Sequence, residues 1–252
     1  MYGCLSVLTL SNTPKDILLK LEKICTDSFE NVLETMKKNY EVYSRYQAKS
    51  MNYKVKVKDF YGIYTEAKNL YGDSFEIAYN EKLSQLKTGF ASGELTILDT
   101  NFELVDFVIG YIPSEPTVVY GLMPPYYPHV SNKLFENLDP KITALNNLIN
   151  EFTVANFGEQ YNKVNFFPGI SDLSYTNVIN ADETKKALKD AMPLFETLYD
   201  VPIEDIKEIA MPCVNIGPWG KDLHKLTERV YKVDLLNRTP RLIDHVLQNI
   251  LG

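Results

Sequence analysis

The chain opens on a short apolar run, Tyr2 to Leu10, patterned like a strand, and turns polar at Ser11-Asn12. Thr13 as N-cap, Pro14 at the first helical position and Asp16 in the first turn then mark a helix start, since these residues satisfy or dispense with N–H groups that lack intrahelical partners. No glycine and no further proline follows as far as Lys49. Ile17, Leu18, Leu21, Ile24, Cys25, Phe29, Val32, Leu33 and Met36 keep a helical period over this stretch. That pattern predicts one long amphipathic helix, its stripe continued by Tyr40, Tyr43 and Tyr46. Tyr53 to Lys58 alternates with period two, which predicts a short edge strand whose lysines face water. Helical patterns follow over about 59–70, 74–90 and 99–111, punctuated by Gly72, Gly89 and Gly93.

At Pro113 the character changes. Pro116 to Met123 is a β-branched, almost wholly apolar run, as expected of a strand buried on both faces, and it ends in Pro124-Pro125-Tyr126-Tyr127-Pro128-His129. A helix is predicted over Pro140 to Phe157, then a strand at Lys163 to Phe167 ending in Pro168-Gly169-Ile170-Ser171-Asp172. Another helix falls at about 182–191, and a third strand, Pro212 to Ile216, ends in Gly217-Pro218-Trp219-Gly220. Thr239-Pro240 repeats the Thr-Pro start, and a last helix runs to Leu251. Strands alternating with helices predict an α/β fold with a parallel sheet and right-handed crossovers. The expected division is a mostly helical segment, 1–112, followed by an α/β segment, 113–252.

A chain of 252 residues with 45% hydrophobic content can bury a substantial core. Its formal charge of -7 and pI near 5.1 argue against nucleic acid as a partner, because phosphate binding relies on clustered Lys and Arg. No apolar run approaches the roughly 20 residues needed to cross a bilayer, and the apolar N-terminus has no basic lead or cleavage signal, so a cytoplasmic location is expected and no membrane partner. Cys4, Cys25 and Cys213 are widely spaced and odd in number, which suits a reducing compartment. His129, His224 and His245 are equally scattered, so no local pair can hold a metal by itself.

Ligands of open α/β sheets bind beyond the carboxyl ends of the strands. Three unusual loops are predicted there: Tyr126, Tyr127 and His129 in the first, Ser171 and Asp172 in the second, and Trp219, Lys221, Asp222, His224, Thr227, Glu228 and Arg229 in the third. Strand-end loops also hold Pro and Gly for turn geometry alone. A serine-hydrolase reading lacks its Gly-x-Ser-x-Gly elbow.

Phe166-Phe167-Pro168-Gly169-Ile170-Ser171-Asp172-Leu173-Ser174-Tyr175 and the run from Val214 to Val230, containing Gly217-Pro218-Trp219-Gly220-Lys221-Asp222-Leu223-His224, resemble the C-terminal signatures of RocB-like arginine-utilisation proteins. The Pro124–His129 loop and the Thr13-Pro14 helix look like that subfamily too, so the resemblance spans nearly the whole chain. Such proteins are grouped with dinuclear zinc exopeptidases and amidohydrolases, among them carboxypeptidase G and the aminoacylases. The resemblance implies part of an α/β/α sandwich with a mostly parallel sheet, preceded by a largely helical segment from or near a lid or dimerisation domain. It further implies hydrolysis of an amide bond in a peptide or N-acyl amino acid, with zinc, manganese or cobalt in the intact enzyme. His224, followed by Glu228, matches the last metal-binding His of the group. The Asp172 loop resembles its Gly-x-Thr/Ser-Asp turn beside the metals.

The sequence departs from the group where its other ligands belong: it has no His-x-Asp motif and no Glu-Glu pair. A dinuclear centre needs several His and carboxylate ligands, so the expectation is a C-terminal segment that binds no metal alone. Beside His224 as metal ligand stand three residues in catalytic surroundings. His129 is expected to orient or polarise a substrate carbonyl or to be a hydrogen-bonded loop residue. Asp172 would steady a ligand or cap a turn, and Glu228, four residues after His224, would steady its imidazole or pair with Arg229 or Lys225. His245 reads as a solvated helix residue, and Trp219 as a pocket wall or a packing residue. The expected partners are a peptide or amino-acid-derived small molecule, a complementary N-terminal chain, or a second copy. The competing reading is a non-catalytic remnant or dimerisation module whose long first helix is the interaction surface.

Overall fold

A computed structural model describes residues 1–10, 12–44, 53–135, 139–165 and 172–250. They form a mixed α/β and mostly helical structure with a small parallel sheet. The chain divides into one unit of Met1–Pro128 with Ile179–Asp205, and a second of His129–Val178 with Ile206–Gly252. The step in character at Pro113 falls inside the first unit.

In the first unit the long helix forms as α1, Pro14–Ser44. Its start is reciprocal: Thr13 N–H and Oγ1 both donate to Asp16 Oδ2, at 2.8 and 2.9 Å, while Asp16 N–H donates to Thr13 Oγ1 at 3.2 Å. These bonds hold the Asp16 carboxyl below its ordinary pKa. The lysine-rich strand shortens to β1, Val57–Asp59, and pairs in parallel with β2, Val118–Tyr120, Val57 opposite Val118. Its lysines are not simply solvated. Lys56 and Lys58 both reach Glu66 of α2, Phe60–Tyr71, at 3.1 and 2.8 Å, and lower its pKa.

Helices α3, Asp73–Ala91, and α4, Ile97–Ile109, complete the helical run, each within two residues of its predicted limits. Thr96 and Asp99 form a full capping box at the start of α4. Phe60, Ile63, Ala67, Phe75, Leu83, Leu86, Leu104, Val108 and Ile112 join Leu194 in one buried cluster. Tyr79 packs against it, and burial pushes its phenol up to about 12. The helix that rejoins this unit is α6, Ala181–Ala191. Its last carbonyl accepts from Leu122 N–H at 2.7 Å, and the chain passes so close that a Cβ on Gly121 would lie 2.5 Å from the Ala191 oxygen. Tyr2 to Leu10 is not a strand. Tyr2 instead stacks on Phe102 at 4.3 Å and donates to Asp106 Oδ1 at 2.8 Å.

The second unit is organised by α5, Pro140–Phe157, capped by Asp139 and closed by left-handed Gly158, and by α8, Thr239–Ile250; α7, Ile203–Glu208, lies where the chain leaves the first unit. Leu145, Leu242 and Val246 are its buried centre. α8 begins at Thr239, as the Thr-Pro pair predicts, but as the continuation of an earlier helical turn rather than at a free end. The helix runs through residues 232–250, and a π-helical turn at Asp234–Arg238, closed by Thr239 N–H to Asp234 O, precedes Pro240.

Neither Lys163–Asn165 nor Pro212–Ile216 forms the expected strand; Phe166 and Phe167 lie outside the described residues. Among the described residues the parallel sheet is therefore β1 and β2 alone. A second ladder, antiparallel, joins β3, Gly220–Lys221, to β4, Arg229–Val230.

Candidate functional site

His129, Asp172, His224 and Glu228 all fall in the second unit. The geometry around His224 is a hairpin tip. Gly220 pairs with Val230 and Lys221 with Arg229, and a Cβ on Gly220 would sit 2.9 Å from the Arg229 oxygen, so the close pairing selects glycine. Asp222 and His224 both take left-handed backbone, with φ of 60° each, which turns the chain through residues 222–228. Asp222 anchors that loop: its Oδ2 accepts from Thr227 Oγ1 at 3.1 Å and from the Arg229 guanidinium.

Glu228 also braces the tip, but not as a partner of the imidazole. Its Oε2 accepts from the His224 main-chain N–H at 3.1 Å, leaving the exposed ring directed by backbone alone. Trp219 at the base is 60% exposed with Lys221 Nζ 5.4 Å above its ring, and its main-chain N–H donates to buried Asp234 at 3.2 Å.

Side-chain and main-chain bonds join segments that flank the three predicted loops. Asn132, three residues beyond His129, donates from Nδ2 to Cys213 O at 2.6 Å and accepts at Oδ1 from Cys213 N–H at 3.0 Å. Thr176, beyond the 3-10 turn Asp172–Tyr175, accepts at its carbonyl from Met211 N–H at 3.0 Å and places Oγ1 3.3 Å from Cys213 Sγ. At Cys213, in the middle of the predicted strand Pro212–Ile216, both main-chain groups are taken by Asn132 rather than by a neighbouring ladder. Ser171 and the motif residues Phe166–Ile170 lie outside the described residues.

His129 is half-buried. Desolvation, helped by Lys133, lowers its pKa, so its imidazole is neutral at neutral pH. Tyr126, three residues earlier and in the first unit, has its own fixed setting: its N–H donates to Tyr199 Oη at 2.7 Å, and burial raises its phenol pKa. His245 is not a solvated helix residue; it stacks on Phe152 at 4.3 Å with an interplanar angle of 20°.

Periodicity located the loops but missed the bonds that join Asn132, Thr176 and Cys213. Only their polarity beside apolar runs could have drawn attention to them. Among the described residues no three His, Cys, Asp or Glu side chains come together to hold a metal ion. A cavity of about 390 Å³ in the first unit, lined by Lys82, Glu103, Asp106, Phe107, Gly110 and Tyr111, contains none of the candidate residues. No described helix is long and apolar enough to cross a membrane.

By sequence the chain is similar to two known proteins. It is 31% identical to protein RocB of Bacillus subtilis over 137 residues, covering 53% of this chain and 24% of RocB. It is also 27% identical to the uncharacterized protein YqjN of the same organism over 249 residues, covering 98% of this chain and 43% of YqjN. The chain thus spans less than half the length of either relative. No family model matches it, and no solved structure does.

Proposed function

We propose that this chain is the portion of a RocB-like amide hydrolase that delivers His224 to a metal centre, in an enzyme of amino-acid, and specifically arginine, utilisation. The observation that carries this reading is the hairpin tip: two left-handed residues and two anchoring carboxylates hold His224 outward, in the motif that resembles the last metal-binding His of the zinc exopeptidases. The described residues do not make up a metal site of their own, so a centre built around His224 would take its remaining ligands from outside them. Bound zinc, manganese or cobalt would supply a water of lowered pKa for attack on the amide.

Within this chain, Asp222 and Glu228 set the tip and neutral His129 can donate one hydrogen bond to a substrate carbonyl. Asp172 belongs to the turn that the resemblance places beside the metals. The α/β/α sandwich and the C-terminal position of this segment are parts of the same proposal.

The test combines metal content with hydrolysis of N-acyl amino acids and dipeptides, with and without added zinc, manganese or cobalt. Metal-dependent turnover that His224→Ala abolishes is the expected result. Turnover or metal binding indifferent to His224→Ala would defeat the reading.

A second reading, an interaction module, is favoured by α1. Leu19, Ile24, Val32, Met36, Val42 and Tyr43 are all exposed along it. A complementary chain carrying the missing ligands, or a second copy, would cover them, and failure to find either by co-purification and sedimentation would remove this reading.

A further inference from the structure

The cavity of about 390 Å³ in the first unit opens to solvent and is built by α4 and the turn after it, joined by Lys82 of α3. Its wall is aromatic and fixed. Phe107 and Tyr111 have ring centroids 5.2 Å apart, and Tyr111 is held in turn by Phe75 at 5.1 Å and by Tyr71 at 5.5 Å. Phe75 belongs to the buried cluster, so the Tyr111 ring cannot swing away without disturbing the core. The charge of the lining is unbalanced. Lys82 Nζ meets Glu103 Oε2 at 2.7 Å, which offsets one carboxylate. Asp106 has no such cation: its Oδ1 accepts from the neutral Tyr2 phenol at 2.8 Å, and its Oδ2 has no partner among the described residues. One uncompensated negative charge therefore lies beside two aromatic rings.

We propose that this cavity binds an organic ammonium ion, the charged head on Asp106 Oδ2 and the apolar stem along Phe107 and Tyr111. Aromatic rings attract a cation through their negative faces, and a carboxylate in a recess acts through less water than one on open surface. The setting of Asp106 also selects among cations. A guanidinium pairs best with a carboxylate through both oxygens at once, and Tyr2 already holds one of them. An ammonium is a point charge that needs only the other. An anion meets the uncompensated charge and is repelled. Tyr2 is thus a positioning residue, setting specificity through Asp106. The ligand site is independent of His224 and of the amide-hydrolase reading, and no residue is common to the two.

The experiment titrates the full chain, without added metal, with phenethylammonium, phenethylguanidinium and 3-phenylpropanoate, and follows main-chain amide shifts by two-dimensional NMR. Saturable shifts at Asp106, Gly110 and Tyr111 are expected with the ammonium, weaker binding with the guanidinium, and no saturation with the carboxylate. Asp106→Asn, nearly isosteric and at an exposed position, should weaken the ammonium about five-fold. Tyr2→Phe keeps a ring against Phe102 but releases Oδ1, and should tighten the guanidinium by about the same factor while changing the ammonium less. A merely structural role for Tyr2 would not produce that gain. Absence of saturable shifts at these amides, ammonium affinity unchanged in Asp106→Asn, or guanidinium affinity unchanged in Tyr2→Phe would each overturn the proposal.

Discussion

At the scale of single residues, burial of His129 makes a signed prediction. Its folded-state pKa lies below the ordinary value near 6.5, so the unfolded chain takes up the proton first as pH falls. Stability is unaffected by this group well above pH 6.5 and is lost as the pH drops from there toward the lowered folded value. Urea midpoints measured between pH 7 and 5 should fall less steeply for His129→Gln than for the wild type. Gly121 offers a second residue-scale test. An added Cβ meets the Ala191 oxygen at 2.5 Å, a main-chain atom that cannot rotate away. Gly121→Ala should cost about 1–3 kcal/mol by overpacking, measured by denaturant unfolding, whereas Gly217→Ala, with open space around it, should stay within ~0.5 kcal/mol.

At the scale of elements, helices were legible almost to the residue, whereas among the described residues the predicted strands formed only at Tyr53–Lys58 and Pro116–Met123, each in part. The helices α2 to α5 matched their predicted limits closely because sustained periodicity coincides with caps such as Thr96 and Asp139. Thr96→Ala removes the capping box and should lower stability by about 1 kcal/mol, readable as a shift in thermal midpoint. Short apolar runs carry no such redundancy. Pro212–Ile216 has the composition of a buried strand, but the main chain of Cys213 within it is bonded by the Asn132 carboxamide, a long-range partner that no local pattern encodes. The candidate site divides in the same way. His224 was visible in its motif, while the role of Glu228, gripping backbone rather than ring, depends on two left-handed residues whose conformation the sequence does not announce. Asp222→Ala should leave the rest of the fold in place and free the tip, seen as faster amide exchange at His224 and Glu228.

At the scale of the whole molecule, the exposed apolar residues of α1 meet a chain with formal charge -7. Like charge on two copies opposes association at neutral pH, and that opposition vanishes near the pI of about 5.1. Sedimentation should therefore show concentration-dependent association that strengthens from pH 7.5 toward pH 5.5. Val32→Glu with Met36→Glu should suppress it if α1 supplies the contact. Association unchanged by the double substitution would assign it to another surface.

The wide turn at Asp234–Arg238 divides one continuous helix into two independently phased stretches. Within it, Asp234 accepts from the Trp219 main-chain N–H and from Arg238; beyond it, Leu242 and Val246 pack with Leu145 of α5. The turn holds one residue more than a regular helical turn, and Leu236 within it is 73% exposed. The extra residue thus works as a vernier between hairpin and core. Evolution could insert or delete at this point to rotate the His224 hairpin by a fixed step against an unchanged hydrophobic centre.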